Sequence, residues 1–357
     1  MSDSDTTQKP RRALHELLAV RWRPRLVTVL GVLILVLIGV WLAVNLVKDP
    51  TEFFQIAIIG LTNGSVYALV ALGYTLVYGI LQLINFAHGD VFALGGLVSA
   101  TLILDLFDVT SSSSPQAIAV AVAGSLLIAV AFASTLNTTV ELVGYRRLRN
   151  APRLAPLITA VGMSFILQNV GLYFWGPAYT SIDPLISGEP AFTIGGVEFQ
   201  WDNLTMIALT VPLLLALTWL VTSTRQGKAM RATSQDMEAA AMMGINVNRT
   251  ISFTFALAGA LAGVGAVLFL VEFNIRYDTG FELGLIAFTA AVLGGIGNLS
   301  GAVLGAIIIG MIQAFNEGPF LWAPGSDWTR SIVFGILIAI LVFRPEGLLG
   351  ERTPEGA

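Results

Sequence analysis

The sequence predicts an all-α fold: a polytopic helical membrane protein of about ten transmembrane segments, some of them broken or re-entrant. Three observations predict it. The chain of 357 residues is 55% hydrophobic and 12% charged, against roughly 25% charged residues in soluble domains. Apolar runs near the ~20 residues that a ~30 Å hydrocarbon core demands recur along its whole length. The basic residues concentrate in alternate connections between those runs, as the positive-inside rule requires.

The first run, 26–47, follows Arg11, Arg12, Arg21, Arg23 and Arg25. It exceeds the roughly 7–15 residues of a signal-peptide core and no small-x-small cleavage site follows it, so it reads as an uncleaved span starting on the cytoplasmic side. The next runs are 54–84, 89–107, 116–136, 155–175, 203–222, 250–271, 284–296, 299–316 and 330–348. Run 54–84 is too long for one straight helix and must tilt, break or include an interfacial turn. The pair around 294–300 forms a broken helix or a re-entrant pair. Arg146, Arg147, Arg149 and Arg153 fall in one inner connection, Arg225, Lys228, Arg231 and Arg249 in the next, and Arg344 and Arg352 at the C-terminus. The connections 108–115 and 176–202 contain neither lysine nor arginine; Lys48, Arg276 and Arg330 are the exceptions to the rule. Both termini are therefore expected in the cytoplasm. In 176–202, alternating Phe192, Ile194, Val197 and Phe199 suit a short hairpin or a segment lying against the mouth of the protein.

Three stretches stand out. The connection 225–246 carries Thr233-Ser-Gln-Asp236, which fits a capping box and predicts a short helix starting there. Asp236 and Glu238 lie near its positive end, Ala239, Ala240 and Ala241 give a small-residue face, and Gly244 suits a left-handed stop. Such a helix is either a knob for a cytoplasmic partner or a plain interfacial joint. The second stretch interrupts an apolar run with Asn85, His88 and Asp90, where Asn85 and His88 would share a helical face. Uncompensated polar groups in hydrocarbon cost several kcal/mol, so these residues face a bundle interior or water. They line a hydrophilic path, or they form a surface turn with Asn85 as cap, His88 solvated and Gly89 turning. The third, 288–310, has Gly294, Gly295, Gly297 and Asn298 at a helix break, then the small-xxx-small pair Gly301/Gly305, a spacing repeated in Gly60/Gly64 and Gly259/Gly263. The interruptions fall at corresponding places in the two halves, a pointer to a transport pathway, although residue-level similarity between the halves is poor.

Absences exclude several classes. No phosphate-binding G-x-x-x-x-G-K-[ST] is present, so ATP hydrolysis by this chain alone is not expected. With no cysteine and two histidines, neither a metal site nor a bound cofactor is expected. The net charge of −4 offers nothing to nucleic acid, and no hydrolytic triad has a convincing base. An enzyme is not expected.

The stretches 60–90, 140–169, 225–246 and 288–306 and the closing Arg-Pro-Glu-Gly-Leu-Leu-Gly of 344–350 together resemble the branched-chain amino acid ABC importer family, specifically its H-type permease subunit. The resemblance implies a permease that moves aliphatic amino acids inward across a prokaryotic cell membrane. It implies that Asp236, Glu238, Ala239, Ala240 and Gly244 belong to a coupling helix contacting an ATPase subunit. It also implies four kinds of partner: a second, M-type permease, two ATP-binding subunits, an external solute-binding protein and the amino acid itself. Residues 1–50 would be an N-terminal extension with an added span, 51–350 the permease domain and 351–357 a cytoplasmic tail. The chain departs from the family at 145–149, where Tyr-Arg-Arg-Leu-Arg lacks the usual proline after the first arginine. Two alternatives stay open: the same architecture carrying urea, short amides or other amino acids, and a stand-alone channel or secondary carrier.

Overall fold

The computed structural model describes residues 29–350 apart from Leu30, Leu35, Asn150, Arg153, Ser187 and Pro345. The arginines at 11–25, Arg153, Arg352 and the tail 351–357 lie outside the described residues. The chain divides into two compact units, one ending at Phe54 and one starting at Gln55. In the first, α1 (Gly31–Lys48) is apolar around its circumference, with Val32, Leu33, Leu37 and Ile38 exposed. A helix without a polar face meets lipid rather than water.

The remaining helices are α2 (Pro50–Leu81), α3 (Ala87–Thr101), α4 (Pro115–Val140), α5 (Leu154–Trp175), α6 (Trp201–Ser223), α7 (Arg225–Gln235), α8 (Met237–Met242), α9 (Val247–Glu272), α10 (Thr279–Gly294), α11 (Leu299–Glu317) and α12 (Ser326–Phe343). Among the described residues, nine helices are long and apolar enough to cross a membrane, and α10 is a shorter apolar one. The expected break within 54–84 falls at its end instead. α2 is continuous for 32 residues, or ~48 Å at 1.5 Å per residue. The chain leaves it at Gln82, in the left-handed region at φ 52°, and residues 83–85 are non-helical. The last span is displaced from the expected 330–348: α12 starts at Ser326 and ends at Phe343, and 344–350 turns back.

Small residues set the helix contacts of the second unit, as membrane packing favours. α4 presents Ala121, Ser125, Ala129, Ala133 and Asn137 as one buried stripe. Gly259 and Gly263 of α9 press on it so closely that a Cβ at Gly263 would lie 2.8 Å from the Ala129 carbonyl oxygen. Gly60 and Gly64 of α2 meet Met311, Gly310 and Ile307 of α11, and Gly301 and Gly305 of α11 meet Gly294 and Ala290 of α10. α3 lies at the centre, packed by α4, α5, α9 and α10 and buried along nearly its whole length.

Two helices start inside this bundle rather than at its surface. The imidazole of His88, in the first turn of α3, lies against Gly73, eight residues before the end of α2. That is ~12 Å along the helix axis, so the segment after α2 folds back up beside it. On the far side of α9, residues 273–278 fold back likewise: Ile275 is fully buried against Gly96 of α3 and pairs with Thr180 as an isolated β-bridge. α10 therefore begins beside the start of α3, with the backbones of Gly89 and Gly280 in direct contact. The alternation in 176–202 forms the expected hairpin: β1 (Pro190–Ile194) pairs antiparallel with β2 (Val197–Gln200) around Gly195 and Gly196, whose φ values of 60° and 87° suit a tight turn.

Candidate functional site

At the meeting of α3 and α10 the polar groups are buried and unsatisfied. His88 and Asp90 are both 0% exposed. Neither imidazole nitrogen and neither carboxylate oxygen makes a hydrogen bond of proper geometry. Ser164 and Gln168 of α5, bonded to each other at 3.1 Å, lie beside the Asp90 carboxylate. Tyr74 of α2 stands edge-on to His88 with ring centroids 5.0 Å apart. The solvated His88 of the surface-turn reading is thus corrected: its ring is in the core, and Gly89 is helical.

Asn85 is equally buried but differently used. It lies in the non-helical segment before α3, so it does not share a helix face with His88, and the α3 N-terminus has no side-chain cap. Its Nδ2 donates to Asn137 Oδ1 at 3.1 Å, and Asn137 Nδ2 donates to the Phe255 carbonyl at 2.7 Å. The Tyr145 hydroxyl lies 3.2 Å from both Asn85 Oδ1 and the Ile84 carbonyl. One polar chain thereby pins the re-entrant segment to α4 and α9.

The arginine-rich end of the bundle is organised around Glu141, in the π-helical turn Glu141–Tyr145 that closes α4. Glu141 is fully buried yet receives Arg146 Nε and Nη2 at 3.1 and 2.9 Å, Arg149, and the Ser252 hydroxyl of α9 at 2.8 Å. Arg149 also donates to Asn248 Oδ1 at 2.7 Å. Burial draws the Arg149 guanidinium below its ordinary pKa, opposed by the Glu141 charge and its hydrogen bond. Across the chain, outside the spans, the hydrogen bond from Arg276 to Asp278 holds that guanidinium above its ordinary value, and Arg276 stacks over the Tyr179 ring at 4.6 Å.

Beside this cluster the connection after α6 forms two helices where one was expected. Thr224 caps α7, accepting from Gly227 N at 3.1 Å, while Thr233 is buried within α7 and caps nothing. The short helix α8 starts three residues later than the capping-box reading placed it, because the Asp236 carboxylate accepts from both Glu238 N (2.8 Å) and Ala239 N (2.9 Å). Gly244 does take the left-handed stop, at φ 84°. Ile245 N bonds back to Ala240 O and Gly244 N to Ala241 O, the pairing of a Schellman motif. Ala240 faces inward, and Glu238 is exposed together with Met242 and Met243, which are 81% and 83% exposed. Arg231 reaches back to the Val221 and Thr222 carbonyls and closes the end of α6.

The candidates therefore separate into three places. His88 and Asp90 lie at the re-entrant centre with Asn85 just before it. Asp236, Glu238, Ala239, Ala240 and Gly244 form α8 and its ends. Gly294, Gly295 and Asn298 sit at the opposite end of α10 from Gly280, ~21 Å along the helix. There Asn298 caps α11 through Gly301 N at 3.0 Å and donates to the Leu349 carbonyl at 2.8 Å. Leu348 N and Leu349 N bond the Leu293 and Gly294 carbonyls, so the closing 344–350 segment seals this turn. The sequence reading missed Asn137, Tyr145, Ser164 and Gln168, each a lone polar residue in an apolar run, and the paired Met242-Met243 ahead of Gly244.

Two re-entrant helix starts meeting inside a bundle of spanning helices are the architecture of a polytopic membrane transporter. The family model described as "Branched-chain amino acid transport system / permease component" matches residues 56–342, and the chain belongs to that family. It is similar to the high-affinity branched-chain amino acid transport system permease protein BraD of Pseudomonas aeruginosa, 38% identical over 308 residues that span 85% of this chain and 98% of that protein. The LivH protein of the same description from Escherichia coli K12 is 37% identical over 310 residues, spanning 85% and 97% of the two chains. The galactose/methyl galactoside import permease protein MglC of Escherichia coli K12 is 27% identical over 293 residues, spanning 78% and 84%.

Proposed function

We infer that this chain is the permease subunit of a prokaryotic importer for branched-chain amino acids, powered by separate ATP-binding subunits and paired with a second permease. A solute-binding protein outside the cell membrane would deliver the amino acid, and both termini would lie in the cytoplasm. The observation that carries this reading is α8. It is six residues long, capped at one end by Asp236 and stopped at the other by Gly244, and it presents exposed methionines at the arginine-rich end of the bundle. A short helix fixed at both ends, with adaptable apolar side chains at its tip, suits a cleft on a motor subunit. Its rigidity lets a push on α8 move α7 and α9, against which it packs. The chain itself needs no reactive group for this, which agrees with a role outside catalysis. Residues 1–50 act as an additional anchor, 51–350 as the permease proper and 351–357 as a tail.

The test is reconstitution of the full assembly in liposomes, with leucine uptake measured with and without ATP and the binding protein. Uptake that requires both, and that collapses in Glu238→Ala or Met242→Asp while the assembly still inserts, supports the reading. Uptake at full rate without nucleotide would instead make the chain a stand-alone carrier. The likeness to a galactoside permease favours one second reading, the same machine with another cargo. Competition of leucine uptake by urea, amides and sugars separates the two.

A further inference from the structure

The importer reading assigns a motor contact but no residue that meets the cargo, and Asp90 has the properties such a residue needs. It is a carboxylate with no exposed surface and no hydrogen bond of proper geometry, with the Ser164 hydroxyl and the Gln168 amide close enough to interact with it, in a helix that packs on four neighbours. An ionised carboxylate left alone in a low-dielectric interior is costly, so Asp90 calls for a proton or a cation to compensate it. The groups beside it are polar but uncharged: Ser164 and Gln168, already bonded to each other, and Tyr74 of α2. Among the described residues no lysine or arginine is seen in an ion pair with it: Arg146 and Arg149 pair with Glu141, Arg276 with Asp278, and Arg330 with Glu282.

On the side of Ser164 and Gln168, Asp90 is covered by α5. α5 packs chiefly on α3 and on the turn after α4, through a buried row of Pro156, Ala160, Ser164, Leu167 and Gly171. Its other face, including Phe165, Ile166 and Tyr173, is exposed. Ser164 lies on the buried row, so an outward movement of α5 would carry Ser164 away from the carboxylate and leave the α4–α9 seam in place. The starts of α3 and α10 also converge here, and helix N-termini favour negative charge.

We propose that Asp90 receives the α-ammonium group of the translocated amino acid when α5 moves away from α3, with the cargo carboxylate facing the starts of α3 and α10. The inference rests on the importer reading, and it separates cargo classes. A zwitterion satisfies both the carboxylate and the helix starts, whereas urea, an amide or a sugar brings no cation to Asp90.

The experiment uses the complete importer in liposomes with leucine as the probe. Asp90→Asn should lower ATP-dependent leucine uptake more than tenfold, and Asp90→Glu, which keeps the charge, should retain a measurable part of it. The chain has no cysteine, so Ser164→Cys introduces a unique thiol in this subunit. It should react with the cationic reagent 2-aminoethyl methanethiosulfonate during turnover, more slowly with saturating leucine. If Asp90→Asn fails to insert, the Asp90→Glu rate and the Ser164→Cys labelling still decide. Wild-type uptake that survives Asp90→Asn within twofold, or a thiol never labelled in any nucleotide state, overturns the Asp90 assignment and leaves the importer reading standing. A wild-type assembly that takes up no amino acid at all overturns the importer reading and the site with it.

Discussion

Asn137 of α4 accepts a hydrogen bond from Asn85 at 3.1 Å while its own amide donates to the Phe255 carbonyl of α9 at 2.7 Å. One side chain in the core thus holds the re-entrant segment before α3 against two spanning helices. Asn137→Leu leaves the buried Asn85 amide without its acceptor, and an unsatisfied buried donor costs ~1–3 kcal/mol. The melting temperature of the detergent-purified protein is expected to fall. An unchanged melting temperature would show that water or another group replaces the contact.

Glu141 carries the most heavily bonded charge at the arginine-rich end. Glu141→Ala takes the shared carboxylate from Arg149, which is largely buried, and from Arg146, which is partly exposed; removing one partner of a buried pair typically costs ~3–5 kcal/mol, and the solvent reaching Arg146 places this loss toward the lower end. Arg147, in the same turn, is exposed, so Arg147→Ala is expected to stay within ~0.5 kcal/mol of the parent. Thermal unfolding of the two variants side by side is the check, and equal losses would contradict the Glu141 cluster.

The glycines divide by what surrounds them. A Cβ at Gly310 would lie 2.6 Å from the Gly60 carbonyl oxygen, a backbone atom that cannot swing aside. Gly310→Val should therefore cost ~1–3 kcal/mol or more through forced separation of α2 and α11. Nothing lies within 4 Å of a Cβ at Gly162 on the open face of α5, where Gly162→Ala should stabilise the helix by ~0.5–1 kcal/mol. The sign difference is the measurement.

Asp236→Ala removes both hydrogen bonds that start α8, a cap loss of ~0.5–2 kcal/mol in a helix of six residues. ATP-driven uptake should drop while the global melting temperature stays nearly constant, because Asp236 is exposed and α8 contributes little to the core. Asp236→Ser, which can still cap, should restore most of the uptake. Full uptake in Asp236→Ala would remove α8 from the mechanism.

Much of this was readable from residues in a line. Apolar length marks the spans because hydrocarbon thickness sets a minimum run, and the interruption at Asn85–Asp90 marks a break because polar groups do not sit unaided in lipid. Gly244 announced a left-handed stop, and the glycine pairs at spacing four announced close helix contacts. What the linear order could not carry is which groups meet. Asn85 finds Asn137 and Tyr145 across 52 and 60 residues, and Asp90 lies under Ser164, because re-entry lifts the start of α3 into the bundle. The α8 start differs for a related reason: Thr233 and Asp236 are both good caps, and the packing of α7 among its neighbours buries the first and leaves the second free to serve. Local chemistry proposes helix ends and polar breaks, and the three-dimensional packing of small residues selects among them, because burial is a property of neighbours distant in the chain.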